Sequence, residues 1–379
     1  MEIKSSVKPG DGKISGYISI FLGVLTFLGV FCFKYPELLT TPDFRAVYTG
    51  KSMRLVLISC IIASLFFAVL SFYLSKNRKL SLIGIVFSVL TIVFGGFAVE
   101  PSAVDESAYH LGLDWLILDL FLMAIIFVPI ETVFPKRKDQ ATFHEEWRTD
   151  LIYFTISHLF VQFFGTIVQQ PAKLFFGGLG LDGIHHYIQS FPFILQVFLA
   201  LFLTDLFQYW AHRIFHRYHY MWRFHSIHHS TINMDWLAGS RTHFLDIFLT
   251  RSFSFIPVYL LGFSTPAFNL FIIIFAVHSV FIHSNTRINL GLLKYLVVTP
   301  QYHHWHHCKN PKYYGKNYAS IFPVIDKIFG TYYLPKDAWP KDTGLLEMDF
   351  PKGFINQTVY PFTKNPFNKD LNMKKYSDR

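Results

Sequence analysis

The chain has 379 residues, of which 52% are hydrophobic and only 16% are charged. A soluble domain usually carries about 25% charged residues, so this composition indicates a membrane protein. Three cysteines exclude a disulfide framework. The net charge of +9 does not call for nucleic acid as a partner, because basic residues commonly flank membrane spans.

Apolar runs of about the length that a helix needs to cross a bilayer recur along the chain. In chain order they are Ile14–Phe33, Leu55–Leu74, Leu80–Val99, Leu113–Phe134, Leu151–Val168, Phe191–Tyr209, Phe244–Leu261 and Ala267–His283. The last two are joined by the turn "GFSTP", which indicates a helical hairpin that enters the membrane and returns. The fold class predicted is all-α, a polytopic transmembrane helical bundle.

Charge predicts the orientation of these spans. The basic loops "KNRK" (Lys76–Lys79) and "KRK" (Lys136–Lys138) are typical of cytoplasmic loops, and the acidic stretch around Val104 is typical of an external one. Alternation from these loops places Ser230 and Asn310 on the cytoplasmic side. Every histidine cluster then lies on that same side of the membrane, either in an inner membrane of a bacterium or in the endoplasmic reticulum.

Three regions differ in composition. Residues 1–110 form a three-span membrane region in which the spans contain no histidine, and residues 111–335 contain every candidate for chemistry. Residues 336–379 form a polar tail rich in proline and tyrosine. We therefore expect an N-terminal membrane region, a catalytic domain and a C-terminal tail.

Thirteen of the 18 histidines fall between residues 212 and 307, and most of these form three clusters. The clusters are "HRIFH" (His212, His216), "HSIHH" (His225, His228, His229) and "HHWHH", taken as His303, His306 and His307. Helical residues three and four apart share a face, so each cluster directs its imidazoles one way. Neutral imidazole is a common ligand of transition metals. Eight such ligands are too many for one ion and suit two.

Isolated histidines near a membrane interface are more often polar tips that face water. We expect that of His110, His144, His185, His186 and His219. Asp205 lies seven residues before His212 on the same helix face, where its carboxylate would accept a hydrogen bond from a ligand imidazole. Asp235 is a weaker candidate of the same kind.

The clusters and their surroundings resemble the fatty acid hydroxylase superfamily, the membrane di-iron enzymes that include sterol desaturases and alkylglycerol monooxygenase. "DLFQYWAHRIFH" is similar to that family's D-x-x-x-Y-W-x-H-R-x-x-H helix, and "RTHFLD" to its R-x-H-P-L-E stretch. "FIHSN" resembles the segment with its intervening histidine, and "KNYASIFPVIDKIFGTYY" its N-Y-G…W-D-x-x-F-G-T ending. The resemblance runs from about Trp147 to Tyr333.

This resemblance implies the residues of the metal site. The metal ligands it implies are His212, His216, His225, His228, His229, His283, His303, His306 and His307. His304 falls at a variable position of the third cluster and is left out. Arg241 and His243 match the R-x-H pattern and would support the site or position the substrate, while His278 matches a histidine that only some members have.

The resemblance also implies an O2-dependent hydroxylase or desaturase that uses two iron ions to attack a C–H bond of a membrane lipid, such as a sterol or a fatty-acyl lipid. Zinc could replace iron, since it binds such sites more tightly than Fe(II). The sequence has no haem, flavin or iron–sulfur signature. Electrons would therefore come from an external donor, either a cytochrome b5 or ferredoxin type of protein or a pterin reductant.

Two alternatives stay open. Within the enzymes, the chain would be an ether-lipid (alkylglycerol) monooxygenase. In a different class, it would be a zinc-binding membrane hydrolase or a metal carrier without redox chemistry. A zinc hydrolase needs only three protein ligands, which leaves most of the histidines unexplained. A carrier should spread its ligands along a path through several spans.

Overall fold

The computed structural model describes residues 10–41, 50–100, 111–159, 161–336, 338–346 and 350–363. In these residues the chain is helical, with two isolated β-bridges and no strand. The α-helices are α1 (Lys13–Lys34), α2 (Pro36–Leu39), α3 (Gly50–Leu74), α4 (Lys79–Val93), α5 (Leu113–Val133), α6 (Trp147–Leu159), α7 (Val161–Phe176), α8 (Asp182–Gln189), α9 (Phe193–Arg217), α10 (His219–His229), α11 (Phe244–Leu261), α12 (Thr265–His283), α13 (Pro300–His306), α14 (Pro323–Ile328) and α15 (Phe354–Val359).

Seven helices of the described chain are long and apolar enough to cross a membrane. They are α1, α3, α4 with its following turn to Ala98, α5, α9, α11 and α12. The predicted all-α membrane bundle is therefore confirmed. The side of the membrane on which the histidines lie stays a prediction, and the external placement of Val104 falls outside the described residues.

The predicted span at Leu151–Val168 stays a prediction, because residue 160 within it lies outside the described residues. The described chain is helical on both sides of that residue, as α6 and α7. The start of α6 is held inside the protein, because Asp150 is fully buried against Arg241 and Phe154 is fully buried as well. An apolar run alone does not reveal such contacts.

The segment that contains α6 and α7 carries the chain from one end of the hairpin to the other. Just after α5, the Phe134 carbonyl accepts the Arg287 amide beside the C-terminal end of α12. At the start of α9, the Gln196 side chain accepts the Ser264 amide at the hairpin turn, 3.1 Å away. Helix α12 has 19 residues, a length of about 28 Å at 1.5 Å per residue. One end of the hairpin consequently holds the C-terminal ends of α5, α9 and α12 together with the start of α11.

The described residues cluster into two compact units, the first covering 1–122 with 158–162 and the second covering the rest. The region boundaries predicted near residues 110 and 335 stay predictions. In the first unit α1, α3 and α4 pack through small residues: the Ser64 hydroxyl lies 2.8 Å from that of Ser88, and a Cβ at Gly84 would collide with the Ser19 hydroxyl. Close approach of this kind is how helices associate in lipid, where apolar burial gives little driving force.

In the second unit α9 packs on the hairpin formed by α11 and α12. Ala200 and Leu201 of α9 meet Val258 of α11 and Phe271 of α12 in its largest described apolar cluster. Gly262 ends α11 with a φ of 58°, the left-handed conformation that glycine adopts without steric cost. This hairpin fixes the two helix ends on which the histidine site is built.

Candidate metal centre

The predicted ligands sit at or beside helix ends on several segments of the second unit. His212 and His216 lie in the last turns of α9, and α10 carries the second cluster near its C-terminus. His283 is the last residue of α12. Short α13 carries the third cluster and begins at Pro300, after Thr299 caps it by accepting the Tyr302 amide. Helix ends bring side chains from distant parts of the sequence to one place without breaking helical hydrogen bonds.

The nine histidines form two groups. In each group, each histidine offers one ring nitrogen, and these nitrogens all lie within 4.8 Å of one another. The first group, called the five-histidine group, is His212, His216, His225, His229 and His306. The second, called the four-histidine group, is His228, His283, His303 and His307. The two groups adjoin, because the His229 and His307 rings stack with centroids 4.4 Å apart.

Carbonyl oxygens decide the tautomer of two rings in the five-histidine group. His212 Nδ1 lies 2.9 Å from the Tyr318 carbonyl and His306 Nδ1 lies 2.8 Å from the Lys316 carbonyl. A carbonyl oxygen only accepts, so each Nδ1 must carry the proton and donate it. In a neutral ring Nε2 is then a bare lone pair, the form that binds a metal.

Asp246 does the same for a third ring of this group. Its Oδ2 lies 2.7 Å from His225 Nδ1, and both residues are buried. Carboxylate–histidine–metal triads of this kind orient the ring and raise its basicity. Asp246 is the last residue of "RTHFLD", the stretch in which only the arginine and the histidine are predicted site residues. The aspartate is nevertheless the residue whose side chain contacts a predicted ligand.

Two rings of the four-histidine group are held in the same way. His283 Nδ1 donates to the Ser279 carbonyl, 2.7 Å away, and His228 Nδ1 donates to the Arg241 carbonyl, 3.3 Å away. Burial, and then neighbouring histidines, lowers the pKa of His228 well below its ordinary value. The ring is consequently neutral at physiological pH, as a metal ligand must be.

Lone pairs therefore face one another inside each group. His212 Nε2 lies 3.0 Å from His225 Nε2, with both Nδ1 atoms already donating. His228 Nε2 lies 3.2 Å from His283 Nε2, which lies 2.9 Å from His303 Nε2. No proton is left to bridge the first two of these pairs, so only a cation between the nitrogens would remove the repulsion.

Further nitrogens in the five-histidine group have no partner among the described residues. His216, His229 and His306 are members whose Nε2 atoms are buried without a hydrogen bond. Leaving a buried polar atom unsatisfied costs about 1–3 kcal/mol each. Three such atoms directed at one place fit a transition-metal ion that imidazole binds well, such as iron or zinc.

The loop 316–322 supplies the carbonyls that hold His212 and His306, and Asp205 anchors it. Asp205 is fully buried and accepts the three consecutive backbone amides of residues 320–322 at 2.7–3.0 Å. The predicted hydrogen bond from a ligand imidazole to Asp205 is therefore replaced by amides. The carboxylate acts on His212 through the loop, because the His212 ring turns toward Tyr318 instead.

Asp326 is a second anchor of this loop that the sequence did not reveal. Its carboxylate accepts the Tyr318 and Ala319 amides, both at 2.8 Å, and the Tyr302 hydroxyl at 2.8 Å. Tyr302 is itself fully buried in α13, next to the histidines of the third cluster. One carboxylate thus ties the loop to the helix of the third cluster. The aspartate belongs to the quoted ending "VIDKIFG", but its spacing from the histidines carries no periodic signal.

The remaining predicted supporting residues lie near the site with different partners. Arg241 is buried and forms ion pairs with Asp150 and Glu146, and its carbonyl holds His228. Asp235 is buried and accepts the Leu237 and Ala238 amides with one oxygen, 3.0 Å each.

His243 and His278 are outside both groups. His243 caps α11 by accepting the Leu245 amide, and its Nε2 donates to the Thr358 carbonyl, so it joins α11 to α15. His278 lies in α12 about one turn and a half before His283, and its Nε2 has no partner among the described residues.

His304, which the resemblance left out of the ligand set, also lies outside both groups. Its Nε2 donates to the carbonyl of His283, 3.4 Å away, and its ring meets Trp339 edge-on. Burial lowers the pKa of His304 to about 3, so the ring is neutral.

All nine histidines lie within residues 197–331, which match the model of the fatty acid hydroxylase family. That segment is therefore similar to a fatty acid hydroxylase domain. The resemblance inferred from the histidine motifs is thereby confirmed.

Relatives of the hydroxylase domain include lipid oxygenases. Over 180 residues the chain is 31% identical to the ornithine lipid hydroxylase of Rhizobium tropici, covering 48% of this chain and 54% of the relative. It is 34% identical to the alkylglycerol monooxygenase of Homo sapiens over 136 residues, covering 34% of this chain and 28% of that one. It is 27% identical to methylsterol monooxygenase 1-2 of Arabidopsis thaliana over 144 residues, 36% and 46% of the two chains.

These matches cover only part of each relative. The chain spans about half of the length of the ornithine lipid hydroxylase and less than a third of the alkylglycerol monooxygenase. No solved structure matches the chain.

Proposed function

We propose that the protein is an O2-dependent lipid hydroxylase that holds one iron ion in each histidine group. The observation that carries this proposal is the set of ring nitrogens that converge in each group while the opposite nitrogens of four rings donate to carbonyls. The fatty acid hydroxylase domain supports it, since the relatives of that domain are named as lipid hydroxylases and monooxygenases. A hydrolytic zinc centre would use three ligands and keep one open position.

Two iron ions would supply the reductive activation of O2 that the attack on an unactivated C–H bond requires. The residues of the chain hold this chemistry in place. The Tyr318 and Lys316 carbonyls keep two rings of the five-histidine group in one tautomer, and the Arg241 and Ser279 carbonyls do so for two rings of the four-histidine group. Burial of eight of the nine histidines excludes bulk water from the reacting atoms.

The substrate we propose is a fatty-acyl lipid of the membrane, and the reaction is hydroxylation rather than desaturation. The ornithine lipid hydroxylase favours this class, because its match covers more of this chain than the matches to the alkylglycerol and methylsterol monooxygenases do. An ether lipid is the second candidate, since the alkylglycerol monooxygenase of Homo sapiens has the highest identity of the three relatives, 34%. A sterol is the third.

Electrons reach the site from outside the chain in this proposal. A cytochrome b5 or ferredoxin type of protein is the donor for an acyl hydroxylase, and a pterin for an ether-lipid monooxygenase. The histidine end of the bundle faces the cytoplasm, in a bacterial inner membrane or the endoplasmic reticulum, because the basic loop at Lys136–Lys138 lies at that end.

Lipid profiling under labelled oxygen tests the proposal. Membranes of cells that express the protein should contain a lipid with one added oxygen atom derived from 18O2, and cells that express His228→Ala should lack it. A lipid that has lost two hydrogens without gaining oxygen would replace hydroxylation by desaturation. Oxygen derived from water, or no lipid that depends on His228, would contradict the proposal and favour the hydrolase or carrier alternative.

A further inference from the structure

A third cluster of ligand side chains lies outside both histidine groups. His144, Asp150 and Asp235 are all buried, and each offers a ligand atom within 4.8 Å of the other two. His144 Nε2 lies 3.0 Å from Asp235 Oδ2 and 3.7 Å from Asp150 Oδ2. The expectation that His144 is a polar tip facing water is therefore wrong, because its ring is enclosed between two aspartates.

One oxygen of the cluster has no partner. Asp150 is fully buried, its Oδ1 accepts from Arg241 Nε, and its Oδ2 has no hydrogen bond with any described residue. That free oxygen is one of the three convergent ligand atoms. A buried carboxylate oxygen is ordinarily paired or bound to a metal.

Carboxyl groups outnumber guanidinium groups around the cluster. Arg241 is the cation paired with Asp150, and it also pairs with Glu146. Asp235 and nearby Glu131 have no lysine or arginine partner among the described residues, and the Glu131 carboxylate accepts the Trp236 and Asn285 amides. Four carboxyl groups thus adjoin one guanidinium. Burial raises the pKa of Asp150 in spite of the lowering effect of Arg241.

We propose that His144, Asp150 and Asp235 bind a divalent transition-metal ion, distinct from the two ions of the histidine groups. An ion with bonds of about 2.1 Å to nitrogen and oxygen separates tetrahedral ligand atoms by about 3.4 Å, and the two measured separations lie on either side of that value. One imidazole and two carboxylates are hard and borderline ligands, which suit Zn²⁺, Mn²⁺ or Fe²⁺.

The ion would have a structural role. Asp235 begins the turn that leads to Arg241, and the Arg241 carbonyl holds His228. Within that turn Gly239 lies so close to His283 that an added Cβ would be 2.8 Å from its Nδ1. Fixing Asp235 thus fixes the backbone against which two ligands of the four-histidine group rest.

Metal counting on the full chain tests this site. Tag-free protein in detergent is loaded with Zn²⁺ alone, separated from free metal and analysed for zinc per chain. Asp235→Asn and His144→Gln should each hold one ion fewer than the wild type. Glu145→Gln is the matched control, since Glu145 adjoins His144 but is exposed and pairs with Lys352. It should hold as many ions as the wild type.

The measured quantity is a difference of one ion, so it does not depend on how many ions the histidine groups hold or on the substrate. Equal zinc content in folded wild type, Asp235→Asn and His144→Gln would overturn the site. If the labelled-oxygen experiment gives no product while the difference of one ion remains, only the proposed function is contradicted. Elution volume in size-exclusion chromatography identifies any variant that has not folded. If one variant fails to fold, the zinc content of the other variant tests the site.

Discussion

At the scale of single residues, a ring nitrogen is a metal ligand only when its own lone pair points at the ion. His228 meets that condition because the Arg241 carbonyl takes the proton on the other nitrogen. We expect His228→Ala to abolish turnover and to reduce metal content, since the four-histidine group would keep only three ligands. His219→Ala should change neither, because His219 lies outside both groups. Turnover and elemental analysis of both variants check this; equal metal loss in both would contradict it.

His304 tests the assignment inside the sequence "HHWHH". Its Nε2 donates to the carbonyl of His283, whereas His303 Nε2 faces His283 Nε2. His304→Gln can keep a hydrogen bond to that carbonyl, so we expect full metal occupancy and a mild change in activity. His303→Gln should lose metal. The reverse order of metal content would show that the ligands of this cluster are shifted by one residue.

Residue patterns predicted a set of nine ligands but not how these ligands divide into two groups. Spacing within each cluster shows which rings share a helix face, for example His303 with His307. It cannot show that His306, between them, joins His212 in the other group, because that depends on where α9 and α13 meet. The sequence did not predict the roles of Asp246 and Asp326 for the same reason, since their contacts join segments that are distant in sequence.

At the scale of elements, the loop 316–322 is held by two aspartates and in turn holds two ligands. We expect Asp326→Ala to lower the free energy of unfolding by at least about 2 kcal/mol, because buried donors such as the Tyr318 amide lose their acceptor. It should also weaken metal binding in the five-histidine group. Asp182→Ala, at an exposed position in the first turn of α8, is the control.

Thermal unfolding and metal titration of the two variants measure these effects. Asp326→Ala with unchanged stability and metal affinity would show that the loop does not depend on this carboxylate.

Helices were the elements that the sequence predicted best, and their ends were predicted less well. Six of the apolar runs, among them Ala267–His283, agree closely with helices of the structure because lipid imposes a minimum length on a span. The run Leu151–Val168 stays a prediction, since it includes residue 160, which lies outside the described residues. Its composition resembles a span, while the buried ion pair of Asp150 that fixes α6 involves Arg241, far along the chain.

At the scale of the whole molecule, the helix ends that carry the histidines lie at one end of the bundle. We therefore expect the chemistry to take place on one side of the membrane. Cysteines introduced at exposed Ile232 and Asn310 should react with an impermeant thiol reagent from the same side of sealed vesicles. A cysteine at exposed Thr265, in the first turn of α12, should react from the other side. Ser230 is unsuitable because it is buried. The parent for these variants lacks the native cysteines at positions 32, 60 and 308.

Inside-out vesicles should expose positions 232 and 310 if the histidine end faces the cytoplasm. Labelling of these two positions from opposite sides would contradict the adjacent placement of the two histidine groups. Labelling of both from the external side would leave that placement intact and reverse the proposed orientation.

The central claim is that nine histidines form two separate metal centres, one of five ligands and one of four. An anomalous difference map at the iron absorption edge, from crystals of iron-loaded protein, tests it most directly. We predict two distinct peaks, one among His212, His216, His225, His229 and His306 and the other among His228, His283, His303 and His307. A single peak shared by both groups, or density in neither, would contradict the claim.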